Sequence, residues 1–207
     1  EYDQKQVAAM LEKSRIVGDV VEHWLLRAKG LPTILFAANV KESKKFVEKF
    51  LERGVRCVHV DAKTKDNIRE DTWRQLAGGE VEVVCAVGLV SYGWDVPEVV
   101  CGIDAAPSLS LGKHLQKLGR IMRRHFSKKF AIWLDHVGNC DKHGYPETPR
   151  EWTLEGIKKR NAGEKDKAPP VKICGACWFT YNAREHQKCP DCGTVPDKRD
   201  MTVPTEA

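Results

Sequence analysis

The chain has 207 residues, 42% of them hydrophobic and 30% charged, with a formal net charge of +5. This length holds one full domain plus a small appendage, and the apolar fraction is enough for a core. No apolar run approaches the ~20 residues of a membrane span and no signal region opens the sequence, so a membrane protein and a secreted protein are both excluded as expectations.

Eight cysteines in such a chain point to reduced thiols and metal binding in a cytoplasmic protein rather than to disulfides. The mild positive charge fits an anionic partner such as nucleic acid, but surface lysines alone reach that value. The first residue is Glu1 rather than Met, which reads as a piece of a longer protein.

In chain order, two helices are expected first, a lead-in within residues 1–30. One runs from about Tyr2 to Ser14. The other starts near Asp19 with Glu22 as a capping-box partner, and turns Val20, Val21, Trp24, Leu25 and Ala28 inward. "TILFAA", from Thr33 to Ala38, is continuous and apolar, as a strand buried on both faces must be. The helix after it carries Phe46, Val47, Phe50 and Leu51 as its apolar stripe and ends at Gly54.

The cycle then repeats. "VRCVHVDA" reads as a strand, and Lys65 to Ala77 as a helix with Ile68, Thr72, Trp73 and Leu76 on one side. "VEVVCAVG" and "VVCGIDAA" are strands, Leu111 to Arg124 is a helix, and "KFAIWLD" is the last strong strand. Five apolar strands alternating with helices define an α/β fold with a largely parallel sheet, whose ligands are expected at the carboxyl ends of strands. Residues 1–150 form this domain, 151–170 read as a basic linker, 171–195 as a cysteine module and 196–207 as a loose tail.

On the helix from Leu111 to Arg124, Leu111, Leu115, Leu118 and Met122 form a stripe expected to pack on the sheet. Gln116, Arg120 and Arg123 share a second stripe. Gly119 removes a side chain beside that second stripe, so something bulky can approach. A solvated basic face is the simpler reading, but a mid-helix glycine costs about 1 kcal/mol against alanine, and guanidinium forks suit phosphate oxygens. Upstream, Gly93, Asp95 and Pro97 fall in the loop after "VEVVCAVG". There Asp95 can accept from ribose hydroxyls or hold an arginine in place, and an ordinary turn is the alternative.

Together, Gly93-Trp94-Asp95-Val96-Pro97 and Gln116-x-x-Gly119-Arg120-x-x-Arg123 resemble motifs five and six of superfamily-two DNA helicases. The resemblance covers about Asp19 to Lys142 as their second, carboxyl-terminal RecA-like domain. "LVSYGWDVPEVVCGIDAAPSLSLGKHLQKLGRIMRR" and "WLDHVGNCDKHGYPE" are similar to the bacterial and phage RadD-type repair helicases. The resemblance implies that Arg120 and Arg123 are arginine fingers and that Gln116 orders the γ-phosphate or attacking water. It further implies that Gly93, Asp95 and Gly119 contact ATP, and that Ser91, Lys63 and Thr64 touch a nucleic-acid strand. ATP and Mg²⁺ would be held mainly by an amino-terminal RecA-like domain outside this sequence. DNA is the implied partner, with a repair or single-strand-binding protein as a further one. Leu109 stands where that family commonly has a basic residue, and Ser91-Tyr92 where Thr-Glu is frequent.

"CGAC" and "CPDC" supply Cys174, Cys177, Cys189 and Cys192, two thiolate pairs spaced to close a tetrahedral Zn²⁺ site in a small ribbon. Redox-active pairs and an iron site are the alternatives. Trp178, Phe179, Tyr181, Arg184 and Lys188 can contact nucleic acid or a partner, or can simply pack the ribbon. Cys57, Cys85, Cys101 and Cys140 are expected to be inert core residues.

Overall fold

The computed structural model describes residues 16–89, 95–148, 150, 171–177, 179–182 and 185–195. The expected first helix, Ser91, Gly93, Trp94, the linker, Trp178, Arg184 and the tail lie outside these. The chain divides into two units between Thr148 and Pro149.

In the first unit the elements are α1 (Ile16–Arg27), β1 (Thr33–Ala37), α2 (Val40–Glu52), β2 (Cys57–Val60), α3 (Asp66–Gly78), β3 (Val83–Val87), β4 (Cys101–Ala105), α4 (Leu111–Ile121), β5 (Ile132–Asp135) and α5 (Asn139–His143). The five strands form one sheet in the order β2-β3-β1-β4-β5, and every pairing is parallel. Central β1 is buried at all five positions, which is why it reads as a continuous apolar run.

Alternate side chains feed two apolar layers. Leu35, Val83, Cys85, Cys101 and Ile103 meet α1 and α2 through Val20, Trp24, Phe46 and Phe50. Ile34, Phe36, Val84 and Ala86 meet α3 and α4 through Trp73, Leu76 and Ile121, with Leu89, Val96 and Val99 closing the same side. This is a RecA-like arrangement, a parallel sheet with helices on both faces. Trp24 fixes α1 to β1 by donating from Nε1 to Thr33 Oγ1 at 2.7 Å and by meeting the Phe50 ring edge-on.

Close approach is decisive at Gly102. A Cβ there would lie 2.6 Å from Trp133 Cζ3 and 2.7 Å from Ile121 Cγ1. The absence of a side chain lets α4 and the β5 indole settle directly on β4.

Several local expectations need correction. Asp19 and Glu22 lie inside α1 rather than at its start, and Glu22 pairs with Arg53. Leu51 and Ile68 are exposed, because α2 and α3 each turn a narrower face to the sheet than the widest possible stripe. On α4 the buried face is His114, Lys117, Leu118 and Ile121. Met122 is the helix cap and is 52% exposed, and Arg123 and Arg124 follow the helix instead of belonging to it. Cys57, Cys85, Cys101 and Cys140 are free thiols within the core.

In the second unit, β6 (Val171–Ile173) pairs antiparallel with β7 (Thr180–Asn182), and Tyr181 packs among Cys174, Cys177 and Cys189. Among the described residues no helix is long and apolar enough to cross a membrane.

Candidate functional site

Because β3 and β4 are parallel, the connection between them must return from the carboxyl edge of the sheet to the amino edge. Asp95 lies near the end of that return: Val100 N already donates to Pro32 O, just before β1 begins. α4 makes the same journey. Ser110 caps its start by accepting from Lys113 N at 3.3 Å, and its end reaches the amino edge. There Lys128 Nζ donates to Ile121 O and Val99 O, both at 2.8 Å.

Two segments far apart in sequence therefore converge, and Arg123 donates from Nη1 to Asp95 Oδ1 across 28 positions. Their meeting place is the amino edge, not the carboxyl edge expected for ligands of such sheets. A crossover with no helix of its own among the described residues carries the motif along with the backbone.

The electrostatics of this place favour an anion. Burial lowers the Arg120 pKa below its ordinary value, the nearby Arg123 charge lowers it further, and Asp95 opposes both. Two guanidinium groups thus stand close enough to repel each other, with one exposed carboxylate paired to Arg123. Gln116 is exposed on α4, and Gly119 is exposed with nothing within 4 Å of where a Cβ would sit. The helix surface there is open to an approaching group.

Lys63 and Thr64 sit elsewhere, at the carboxyl end of β2. Asp61 Oδ1 accepts from Lys63 N at 2.9 Å and Thr64 N at 3.1 Å, while Thr64 Oγ1 accepts from Asp61 N at 3.0 Å. The Thr64 hydroxyl is thus engaged in this turn, and Lys65 is the cap position of α3. Lys63 is exposed. Behind the turn, Asp61 Oδ2 faces His59 Nε2 at 3.4 Å, and His59 Nδ1 lies 2.7 Å from Ser43 Oγ. Burial raises the Asp61 pKa, but the Lys63 amide, His59 and Thr64 outweigh it and leave the carboxyl below its ordinary value. This Ser-His-Asp chain is structural, since Ser43 is fully buried and donates to Cys85 O.

A further polar cluster escaped the sequence reading. Lys117 Nζ, on the buried face of α4, donates to Asp104 Oδ1 at 2.7 Å and to Ala106 O at 3.0 Å. Asn139 Nδ2 donates to Asp104 Oδ2 at 2.8 Å, and Asn139 Oδ1 accepts from Ser108 N at 3.0 Å. The available signal was Asp104 itself, a carboxylate inside the apolar run "VVCGIDAA", which needs a buried cation.

In the second unit, Cys174 Sγ and Cys192 Sγ are 3.5 Å apart, as are Cys177 Sγ and Cys189 Sγ. All four sulfurs lie within 4.8 Å of one another. A tetrahedral ion with bonds of about 2.3 Å requires sulfurs about 3.8 Å apart, whereas a disulfide brings them to about 2.05 Å. No disulfide joins these four cysteines, and they are spaced to hold a metal ion. Phe179 and Lys188 are exposed, while Tyr181 is buried within the module.

A parallel sheet flanked by helices, with an arginine pair at one edge, defines an α/β protein of the RecA-like class. Residues 12–125 match the family described as Helicase conserved C-terminal domain, and the chain belongs to that family. A 51.5 kDa protein of Lactococcus phage (isolate 7-9) is 37% identical over 182 residues, covering 86% of this chain and 40% of the phage protein. The UvrABC system protein B of Anaplasma phagocytophilum is 28% identical over 145 residues, covering 67% of this chain and 22% of its own length. The chain thus spans less than half of these relatives. Among solved structures, the C-terminal domain of the DEAD-box protein Dbp5 shares the fold with a TM-score of 0.52 at 18% identity, over 62% of this chain and 73% of that domain.

Proposed function

We propose that this chain is the carboxyl-terminal half of an ATP-dependent DNA helicase or translocase. Arg120 and Arg123 act as arginine fingers on ATP that a partner RecA-like domain holds with Mg²⁺. The observation that carries this reading is the pairing of Asp95 with Arg123, which joins the two helicase-like motifs in one place. The wording of those motifs supports the narrower kinship with RadD-type repair helicases.

In phosphoryl transfer, negative charge spreads over the γ-phosphate oxygens, and a pre-placed guanidinium contributes about 10³–10⁵ in rate. An exposed ion pair is worth only about 0–1 kcal/mol, so phosphate can displace Asp95 from Arg123 at little cost. The released Asp95, with Gly93, is then available to the ribose. Gln116 orders the γ-phosphate or the attacking water, and the open surface at Gly119 admits the nucleotide.

Ser91, Lys63 and Thr64 grip the strand. Lys63 does so through its exposed ammonium, and Thr64, whose hydroxyl and amide are both engaged with Asp61, does so by holding the turn that presents Lys63. Ser91 belongs to the same connection as Asp95, so movement of the nucleotide can be passed to the strand. The four cysteines take Zn²⁺ and form a ribbon that contacts DNA or a partner protein.

The test is Arg123→Ala in the full-length protein. Nucleic-acid-stimulated ATP hydrolysis is expected to fall by at least about 10³-fold, with zinc content unchanged. Turnover that survives the substitution would overturn the assignment.

A further inference from the structure

We propose that Lys117, Asp104 and Asn139 form a lock that sets the position of α4 and so aims Arg120 and Arg123. The proposal rests on the reading of those arginines as phosphate ligands, and it makes Lys117, Asp104 and Asn139 positioning residues that do not touch the nucleotide themselves.

The side chains of Lys117 and Asp104 are only 5% and 0% exposed. Burying two charges is costly, and a well-packed apolar pair would hold the helix to the sheet as firmly, as Leu118 and Ile121 already do. What the ion pair adds is direction. Lys117 Nζ is fixed by two acceptors at the end of β4 and stands 5.6 Å from the centroid of the Phe36 ring on β1. Asp104 is fixed from the other side by Asn139, whose amide also donates to Ala106 O at 3.0 Å.

Asn139 is the first residue of α5, and its side-chain Oδ1 accepts from Ser108 N, two residues before the cap of α4. His143, at the end of α5, faces Ser108 O through Nε2 at 2.8 Å. β4, the entry to α4 and the turn after β5 are thereby joined through one carboxylate.

Apolar contacts let a helix roll or slide by a fraction of a turn, but these hydrogen bonds do not. Lys117 precedes Arg120 by three residues, about 4.5 Å along the axis, so it controls the turn that bears the arginine. With side chains reaching about 5–6 Å from the axis, a roll of about 20° moves a guanidinium by about 2 Å. Misplacement on the order of 1 Å can cost about 10²-fold in rate. A lock distant from the chemistry therefore acts on kcat more than on nucleotide binding.

The experiment uses the full-length protein with Asp104→Leu and Lys117→Met combined, so that no buried charge is left without its partner, and Asn139→Ala as a second variant. Nucleic-acid-stimulated ATP turnover is measured together with amide hydrogen exchange in α4. The double variant is expected to fold, to lose at least about tenfold in kcat with KM for ATP changed less than about threefold, and to exchange faster in α4 than in β1 and β3. Asn139→Ala is expected to lose a smaller part of kcat in the same pattern.

A folded double variant with kcat within about twofold of the parent would reduce the cluster to a packing feature and overturn the proposal. If the double variant does not fold, Asn139→Ala decides in the same way: a kcat loss at constant KM supports the lock, and unchanged kcat overturns it. Arg123→Ala is run alongside. Turnover that survives it refutes the arginine-finger reading, whereas exchange confined to α4 still reports whether the cluster fixes the helix.

Discussion

Replacing Gly102 with alanine tests the packing that brings α4 onto the sheet. The added methyl would meet Trp133 Cζ3 at 2.6 Å and Ile121 Cγ1 at 2.7 Å, about 1 Å inside ordinary carbon contact. Both neighbours sit between β4 and the next layer, so relief requires the indole to turn or α4 to lift. Overpacking of this kind costs about 1–3 kcal/mol. At about 4 °C per kcal/mol for a unit of this size, the melting temperature should fall by roughly 4–12 °C.

A thermal melt of the chain reads this directly, and a double-mutant cycle isolates its cause. Trp133→Leu removes the ring atoms that collide, so Gly102→Ala should cost less in that background by about 1–2 kcal/mol. Arg120 and Arg123 flank Ile121 in the chain, so the alanine variant should also lower ATP turnover in the full-length protein. An unchanged melting temperature, or no coupling between positions 102 and 133, would refute the reasoning.

Three other outcomes follow from described groups. Asp61→Ala should destabilise the first unit by about 1–2 kcal/mol through loss of the turn bonds to Lys63 and Thr64, read by urea denaturation. Since the Asp61 pKa is lowered in the fold, its contribution is present above its ordinary 3.8 and should fade as pH falls below that value. Burial pushes the Cys101 thiol up to about 12 from an ordinary 9.0, so its contribution is full below pH 9 and should be lost as pH rises from there towards 12. Alkali titration of the melting temperature reads that loss, and an unchanged melting temperature across the window would contradict it. Cys177→Ser should abolish binding of about one zinc per chain, measured by metal analysis, while the melting of the first unit stays as it was.

The sequence by itself determined the elements that obey a simple period. Apolar runs such as "TILFAA" are buried on both faces because a central parallel strand has no solvent side, and β1 shows this at every position. The paired CxxC spacings marked the ligand candidates without tertiary information, because cysteines three positions apart on a tight turn can face one side, and the fold then brings Cys174 to Cys192 and Cys177 to Cys189.

On α4 the period was ambiguous. Leu111, Leu115, Leu118 and Met122 make as regular a stripe as His114, Lys117, Leu118 and Ile121. Asp104 chose between them by requiring the Lys117 ammonium beneath the helix, and Gly102 made room for Ile121.

Only the tertiary structure decided where the arginines stand. Spacing along the chain says that Asp95 and Arg123 belong to motifs found together, but not at which edge of the sheet they meet. That is fixed by the common direction of β3, β4 and β5, which forces both the return loop from β3 to β4 and α4 from β4 to β5 to finish at the amino edge. Local sequence encodes periodicity and spacing, and the direction of every chain crossing is settled only when the strands pair.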